Sequence, residues 1–226
     1  MMATTVVDMK DSFASENDLL AAKLKVQFKE QGVFVVNILG TAGAGKTTFL
    51  IGLLEALHAR KSYVIEGDIA SNIDTDTLRR IGIDAYQINT GGTCHLNAAM
   101  VGGILGRMRI EGPALLAIEN IGNLICPVEY DIGENVRLVV SSVPEGSDKP
   151  YKYPAVFQTA GAVVVTKTDL VPYVDFDLDY FTAGVRSLNP AAPIFQVTKK
   201  DTAGFAAVAD WLRARVQETY PTHGIA

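Results

Sequence analysis

The sequence predicts an α/β fold: a single three-layer domain with a mostly parallel sheet and helices on both faces. Three observations carry this. Apolar runs of strand length recur along the 226 residues and alternate with stretches of helical periodicity. One of them, Val33–Leu39, reads as a buried parallel strand. It leads into Gly40-Thr41-Ala42-Gly43-Ala44-Gly45-Lys46-Thr47, and a helical pattern over Thr48–Arg60 follows. Strand, glycine turn and helix together are the setting of a phosphate-binding P-loop.

Composition bounds the rest. Hydrophobic residues make up 48% and charged residues 20%, enough for a sizeable core. The net charge of −5 gives no general footprint for nucleic acid or an anionic membrane, so neither is expected as a partner. No apolar run approaches the ~20 residues of a membrane span. Met1–Ser15 lacks a basic region followed by an apolar block, so no secretory signal is expected and a cytoplasmic location is. The two cysteines, Cys94 and Cys126, are then available for chemistry or core filling.

In chain order, residues 1–14 read as weakly structured, and Leu19, Leu20, Ala22, Leu24, Val26 and Phe28 predict a helix over Ser15–Gln31, stopped by Gly32. Residues 1–32 are expected to place that helix on the core, and residues 33–226 to form the P-loop domain. Strands are predicted at Ser62–Glu66, Ala85–Ile88, Ala114–Ile118, Val136–Val143, Ala162–Val165 and Ile194–Val197. Helices are predicted at Ser71–Ile81, from a Thr93 cap through Met108, at Phe176–Leu188 and at Thr202–Thr219. Pro144–Pro150 reads as a polar loop. No repeat or linker divides the chain.

Ligands of such sheets bind at the carboxyl ends of the strands. Asp68, Cys94, His95, Glu119, Lys167 and Asp169 all follow predicted strands. In the P-loop, Gly43, Ala44, Gly45, Lys46, Thr47 and Thr48 are the expected phosphate contacts. Lys46 reaches the β- and γ-phosphates, and the Thr47 hydroxyl is offered to Mg²⁺. Asp68 and Glu119 supply the carboxylates such an ion needs, held directly or through water. The alternative is a pair of solvated loop acids, and the sequence does not say which carboxylate orients the attacking water. Lys46, Asp68 and Glu119 are the candidate catalytic residues.

Thr166-Lys167-Thr168-Asp169 resembles the [N/T]-K-x-D guanine-recognition element of GTPases. There Asp169 would accept from guanine N1 and N2 while the Lys167 stem stacks on the base, and against adenine a buried Asp169 would lose its partners. Thr198-Lys199 is a further candidate base-contact loop. Cys94, His95 and Cys126 carry thiolate and imidazole, good ligands for Zn²⁺ and Ni²⁺. Parallel strands can bring the two segments to one sheet edge. The alternative is two buried free cysteines and a surface histidine. Three ligands leave a tetrahedral ion incomplete, which a two-fold dimer would remedy. His58 and His223 have no evident partners.

These segments together resemble the HypB family, the GTPases of nickel insertion into [NiFe]-hydrogenase. The resemblance rests on Gly40–Thr48, Glu66-Gly67-Asp68-Ile69-Ala70, Gln87–Gly91, Cys94-His95-Leu96, Ile118–Leu124 with Cys126-Pro127, Pro144-Glu145-Gly146, Lys149-Pro150, Lys152-Tyr153-Pro154 and Lys167–Leu170. The urease GTPase family is similar in fold, but its metal motif is Cys-Pro-His, whereas His95 follows Cys94 directly. The resemblance implies a GTPase of the signal-recognition and MinD-like class, cycling between GTP and GDP with Mg²⁺. It implies a GTP-dependent homodimer that binds Ni²⁺ or Zn²⁺ through Cys94, His95 and Cys126 at its interface. The implied partners are a HypA-like zinc/nickel protein and the hydrogenase large-subunit precursor. Lys149 and Lys152 would lie in the nucleotide-responsive region. Asn97 and Ala99 stand where many members have Asp and His.

Overall fold

The computed structural model describes residues 9–58, 61–68 and 73–221. The end of the predicted helix at Arg60, the start of the one at Ser71, Ile69-Ala70 and His223 lie outside those residues. Seven strands are present: β1 (Val33–Leu39), β2 (Ser62–Asp68), β3 (Asp84–Asn89), β4 (Ala114–Glu119), β5 (Val136–Ser142), β6 (Ala162–Thr166) and β7 (Ile194–Gln196). They form one sheet in the order β3-β2-β4-β1-β5-β6-β7. Every neighbouring pair runs parallel, so the sheet is all-parallel among the described residues rather than mostly so.

The helices are α1 (Met9–Gln31), α2 (Lys46–Leu57), α3 (Ile73–Arg80), α4 (Ala98–Leu105), α5 (Lys149–Lys152), α6 (Pro154–Gln158), α7 (Leu178–Leu188) and α8 (Ala203–Thr219). Alternation along β1 sorts them into two layers. Phe34, Val36 and Ile38 face Phe49, Leu50 and Leu53 of α2, Leu78 of α3 and Val208 and Leu212 of α8. Val33 and Val35 face Leu24 and Phe28 of α1 and Val101 of α4. Leu39 joins Phe157 of α6 and Phe181 and Val185 of α7 on the same side as α1. Gly32, at φ 66°, ends α1 in the left-handed conformation that glycine tolerates, and β1 starts at the next residue.

α1 begins at Met9 rather than at Ser15, so residues 9–14, expected to be weakly structured, are helical. Two further expectations change. The helix assigned from Thr93 begins at Ala98 and is capped by Asn97, whose side chain accepts from the Met100 amide at 2.9 Å. Thr93 instead takes part in a turn, its carbonyl accepting from the Thr90 hydroxyl at 2.8 Å. Leu96 belongs to the core rather than to the helix, because its side chain covers Gly67 of β2, where an added Cβ would lie 2.9 Å from it. Second, Pro144–Pro150 is no plain loop. Val143–Glu145 is a 3₁₀ turn closed by a Ser142/Glu145 capping box, and α5 starts at Lys149. The prolines fit because Pro150 and Pro154 sit in the first turns of α5 and α6, where no amide donor is needed.

Candidate nucleotide and metal site

The phosphate end is built by backbone. Gly43 and Gly45 adopt φ of 78° and 86°, which turns the loop between β1 and α2. Gly45 caps α2 without a side-chain hydrogen bond, leaving the helix N-terminus facing the loop. Lys46 is buried and its ammonium donates to the Thr41 carbonyl at 3.2 Å, inside the loop where phosphate oxygens would lie. Glu119 Oε1 accepts from the Thr47 hydroxyl at 3.1 Å and lies 3.8 Å from Lys46 Nζ. Asp68 ends β2, two positions beyond Glu66, which pairs in register with Glu119. The structure thus brings Lys46, Thr47 and Glu119 into contact and puts Asp68 at the same sheet edge.

The base end lies beside it. Thr166 Oγ1 donates to the Ala44 carbonyl and Lys167 Nζ to the Gly43 carbonyl, each at 2.6 Å. Lys167 itself sits at φ 57°, the left-handed region, so its stem crosses the loop. A cavity of about 310 Å³ opens between Gly45, Thr48, Lys167, Asp169, Lys199 and Phe205. Asp169 departs from the expectation of a buried acid: its side chain is 25% exposed, and both oxygens already have partners. Oδ1 accepts from Thr198 Oγ1 at 2.9 Å, and Oδ2 lies 3.1 Å from Lys200 Nζ. The Thr198 hydroxyl first, and the Lys200 ammonium after it, hold this carboxyl below the usual carboxylate range.

The metal-type ligands converge. One donor atom from each of Cys94, His95 and Cys126 lies within 4.8 Å of the others, in a single chain. Cys94 is exposed, while His95 and Cys126 are partly covered. The His95 ring stacks on Tyr130 at 3.9 Å between centroids, the planes 18° apart. Burial lowers the pKa of the His95 imidazole, partly opposed by Glu129, and so favours the neutral ring a metal requires. The Cys126 thiol beside it pushes the Cys94 thiol up. Two thiols and an imidazole at this spacing suit a soft or borderline divalent ion and leave a tetrahedral position open. Asn97 is occupied as a helix cap, so its place in the fold is explained without a ligand role.

Residues that carry no chemistry in the sequence reading join the two ends. Asn123 Nδ2 donates to the Cys94 carbonyl at 3.2 Å, and Asn123 forms an antiparallel bridge with Gly40 of the P-loop. A Cβ on Gly122 would lie 2.7 Å from the Ala42 amide nitrogen, so the chain leading to Cys126 rests directly on the P-loop backbone. Glu145 binds the Thr41 hydroxyl through one oxygen and Ser142 through the other, with Lys149 Nζ at 3.6 Å. Its signature, Ser-x-x-Glu, was readable as a capping box. Gly122→Ala is expected to wedge the two loops apart at an overpacking cost of about 1–3 kcal/mol. A thermal melt checks it, as a Tm several degrees lower.

A family model described as CobW/HypB/UreG, nucleotide-binding domain, matches residues 34–196. The hydrogenase/urease maturation factor HypB of Helicobacter pylori is 38% identical over 95% of this chain and 90% of its own length. The hydrogenase maturation factor HypB of Rhizobium leguminosarum bv. viciae is 38% identical over 94% of this chain and 71% of its own. Among solved structures, that of HypB from Helicobacter pylori in complex with nickel superposes with a TM-score of 0.85 at 37% identity, covering 91% of this chain and 97% of that one. HypB from Archaeoglobus fulgidus gives 0.81 at 38% identity over 89% and 99%. The signal recognition particle receptor FtsY of Elizabethkingia anophelis shares the fold, at a TM-score of 0.51 and 15% identity over 86% of this chain and 71% of that one. No helix among the described residues is long and apolar enough to cross a membrane. Matched over nearly its whole length by curated HypB proteins and through residues 34–196 by the domain model, the chain belongs to the HypB family of P-loop nucleotide-binding proteins.

Proposed function

We propose that this protein is a GTP-hydrolysing metallochaperone that delivers nickel during [NiFe]-hydrogenase maturation, with Cys94, His95 and Cys126 holding the ion at the interface of a GTP-dependent homodimer. The observation that carries this reading is the contact between the two sites. The loop from Gly122 to Cys126 packs on Ala42 and bridges to Gly40, and Asn123 holds the Cys94 carbonyl. A change in the phosphate loop therefore meets the metal ligands through one layer of backbone. GTP can bias the metal site only by binding one arrangement better than GDP does.

The residues divide the work. Backbone amides at the α2 N-terminus and Lys46 bind the β- and γ-phosphates and balance their charge. Thr47, Asp68 and Glu119 would hold Mg²⁺, which neutralises charge on the transferring phosphoryl group. The Thr47–Glu119 hydrogen bond keeps both oxygens at that position beforehand. Asp169 reads the guanine N1 and N2 donors, and Lys167 covers the base. Partners of this reading are a HypA-like zinc/nickel protein and the hydrogenase large-subunit precursor. The Helicobacter pylori relative is named for urease as well, which favours a second client class, and a pull-down of nickel-enzyme precursors separates the two.

The test is a Ni²⁺ titration without nucleotide, with GDP and with a non-hydrolysable GTP analogue, following mass in parallel. A nickel affinity that differs between GDP and the analogue, with dimer formed in the analogue, supports the reading. Equal affinities in all three states would refute gating. Lys200 adds a prediction about the base. Its ammonium holds one of the oxygens a guanine would use, and the side chain is 72% exposed, so the pair is weak. Lys200→Met is expected to tighten GDP binding about two- to fivefold, because an exposed ion pair competes only weakly for the carboxylate. Calorimetric titration of both proteins with GDP checks it.

A further inference from the structure

The chain leaving β4 faces both sites with consecutive residues. Glu119 points to the P-loop, with Oε1 on the Thr47 hydroxyl. Asn120 is buried and points the other way. Its Oδ1 accepts two amides, Leu96 at 3.1 Å and Ile121 at 2.9 Å. Leu96 immediately follows Cys94-His95, and Ile121 starts the loop to Cys126. Its Nδ2 donates to Asn37 Oδ1 in the middle of the sheet at 3.3 Å. Asn37 Nδ2 in turn reaches Glu134 Oε1 at 3.4 Å. Glu134 pairs with Arg137 at 2.5 Å, and Arg137 donates to the Val128 and Tyr130 carbonyls on either side of Glu129. One buried polar chain thus runs from the central strand to both segments that carry the metal-type ligands.

We infer that Asn120 is a positioning residue that fixes the Cys94–His95 segment to the end of β4, one residue from Glu119. This rests on the metal reading of Cys94, His95 and Cys126 for its consequence, not for its geometry. A buried amide that loses its acceptor is costly, so the Leu96 N–H needs this oxygen to stay where it is. Without it the backbone next to His95 keeps the Asn123 contact to the Cys94 carbonyl and, further on, the Asn17 contact to the Ala98 amide, with no acceptor between them for the Leu96 amide among the described residues. Strand alternation explains why the arrangement is available. Neighbouring residues at a strand end face opposite ways, so Glu119 and Asn120 address two sites from one piece of backbone. Any displacement of the β4 end on nucleotide binding therefore reaches both at once.

The test uses Asn120→Ala and Asn120→Asp in the full chain. Asp keeps the acceptor for both amides, but it replaces the donor to Asn37 Oδ1 by an oxygen and brings a carboxyl into a buried site, so some general loss of stability is expected of it. Amide hydrogen exchange is read at Leu96 and along β1 and β4. In Asn120→Ala, exchange at Leu96 is expected to speed up at least about tenfold while β1 and β4 stay protected, and Asn120→Asp restores Leu96, as follows if one hydrogen bond controls local opening. Nickel affinity is expected to fall about 10–100-fold in Asn120→Ala, the usual effect of losing an outer partner of a metal ligand. The thiolate-to-nickel absorption band should shift with it, while GDP affinity stays within about threefold, since Glu119 and the P-loop are intact. Unchanged exchange at Leu96 in Asn120→Ala overturns the inference. So does a loss of protection in Asn120→Ala spread evenly over Leu96, β1 and β4. If the unaltered protein binds no nickel, the metal reading fails, and exchange at Leu96 still decides whether Asn120 positions that segment.

Discussion

Cys126→Ser is expected to abolish the proposed nickel binding while leaving the fold and the nucleotide affinity in place. The expected loss exceeds the roughly 10–100-fold that follows from deleting an outer hydrogen-bond partner, because a thiolate donor to the ion is itself removed. Serine keeps the size but replaces a soft sulfur with a hard hydroxyl that stays protonated at neutral pH. The fold is spared because Cys126 opens a short 3₁₀ turn at the surface and belongs to no core cluster among the described residues. The nucleotide site is spared because the loop meets the P-loop at Gly122 and Asn123, upstream of the substitution. Titration with Ni²⁺, melting and GDP binding on the same preparation check the three parts. Retained nickel affinity would mean that the ion sits elsewhere. Cys94→Ala is the companion variant, expected to act alike.

What the sequence made readable were the features that local chemistry alone determines. β1 and the glycine turn were legible because a buried parallel strand, a left-handed glycine and a helix start each leave a mark within a few residues. The convergence of Cys94, His95 and Cys126 followed from parallel topology, in which every strand delivers its next residues to the same edge. The start of α4 was misplaced because Leu96 is apolar at helical spacing from Met100, yet its burial is against Gly67 on β2, a contact formed across the fold. The short α5 and α6 were hidden by prolines that usually signal loops and here open helices. Asn120, Asn123 and Tyr130 were least legible. Each has a partner 24 or more residues away in the chain, such as Leu96 for Asn120 at 24 and Cys94 for Asn123 at 29, and a contact made across the fold leaves no local pattern.

Asp169→Asn tests the identity of the base. Guanine offers two donors, N1–H and the exocyclic N2 amino group, and an ionised carboxylate offers two acceptors to match. Asparagine turns one acceptor into a donor, so one bond is lost and a donor faces a donor. A hydrogen bond to a charged group is worth about 1.5–3 kcal/mol, which sets the loss of GDP affinity at roughly 10- to 150-fold. Xanthine has an oxygen where guanine has the N2 amino group, so the variant should gain affinity for XDP as it loses GDP. That reversal separates a base contact from mere damage to the loop, which would weaken both. Stability should change little, because Asp169 is partly exposed and its pair with Lys200 is a surface one. The sign of the pH dependence follows from the same contacts. Thr198 and Lys200 hold the Asp169 carboxyl below its ordinary value, so it stays ionised through mildly acidic pH. The contribution expected of it to guanine binding in the unaltered protein is therefore constant from mildly acidic to neutral pH, and is lost only on acidification below that range. ADP binding as tight as GDP binding in the unaltered protein, with no change in Asp169→Asn, would show that the base is not read here at all.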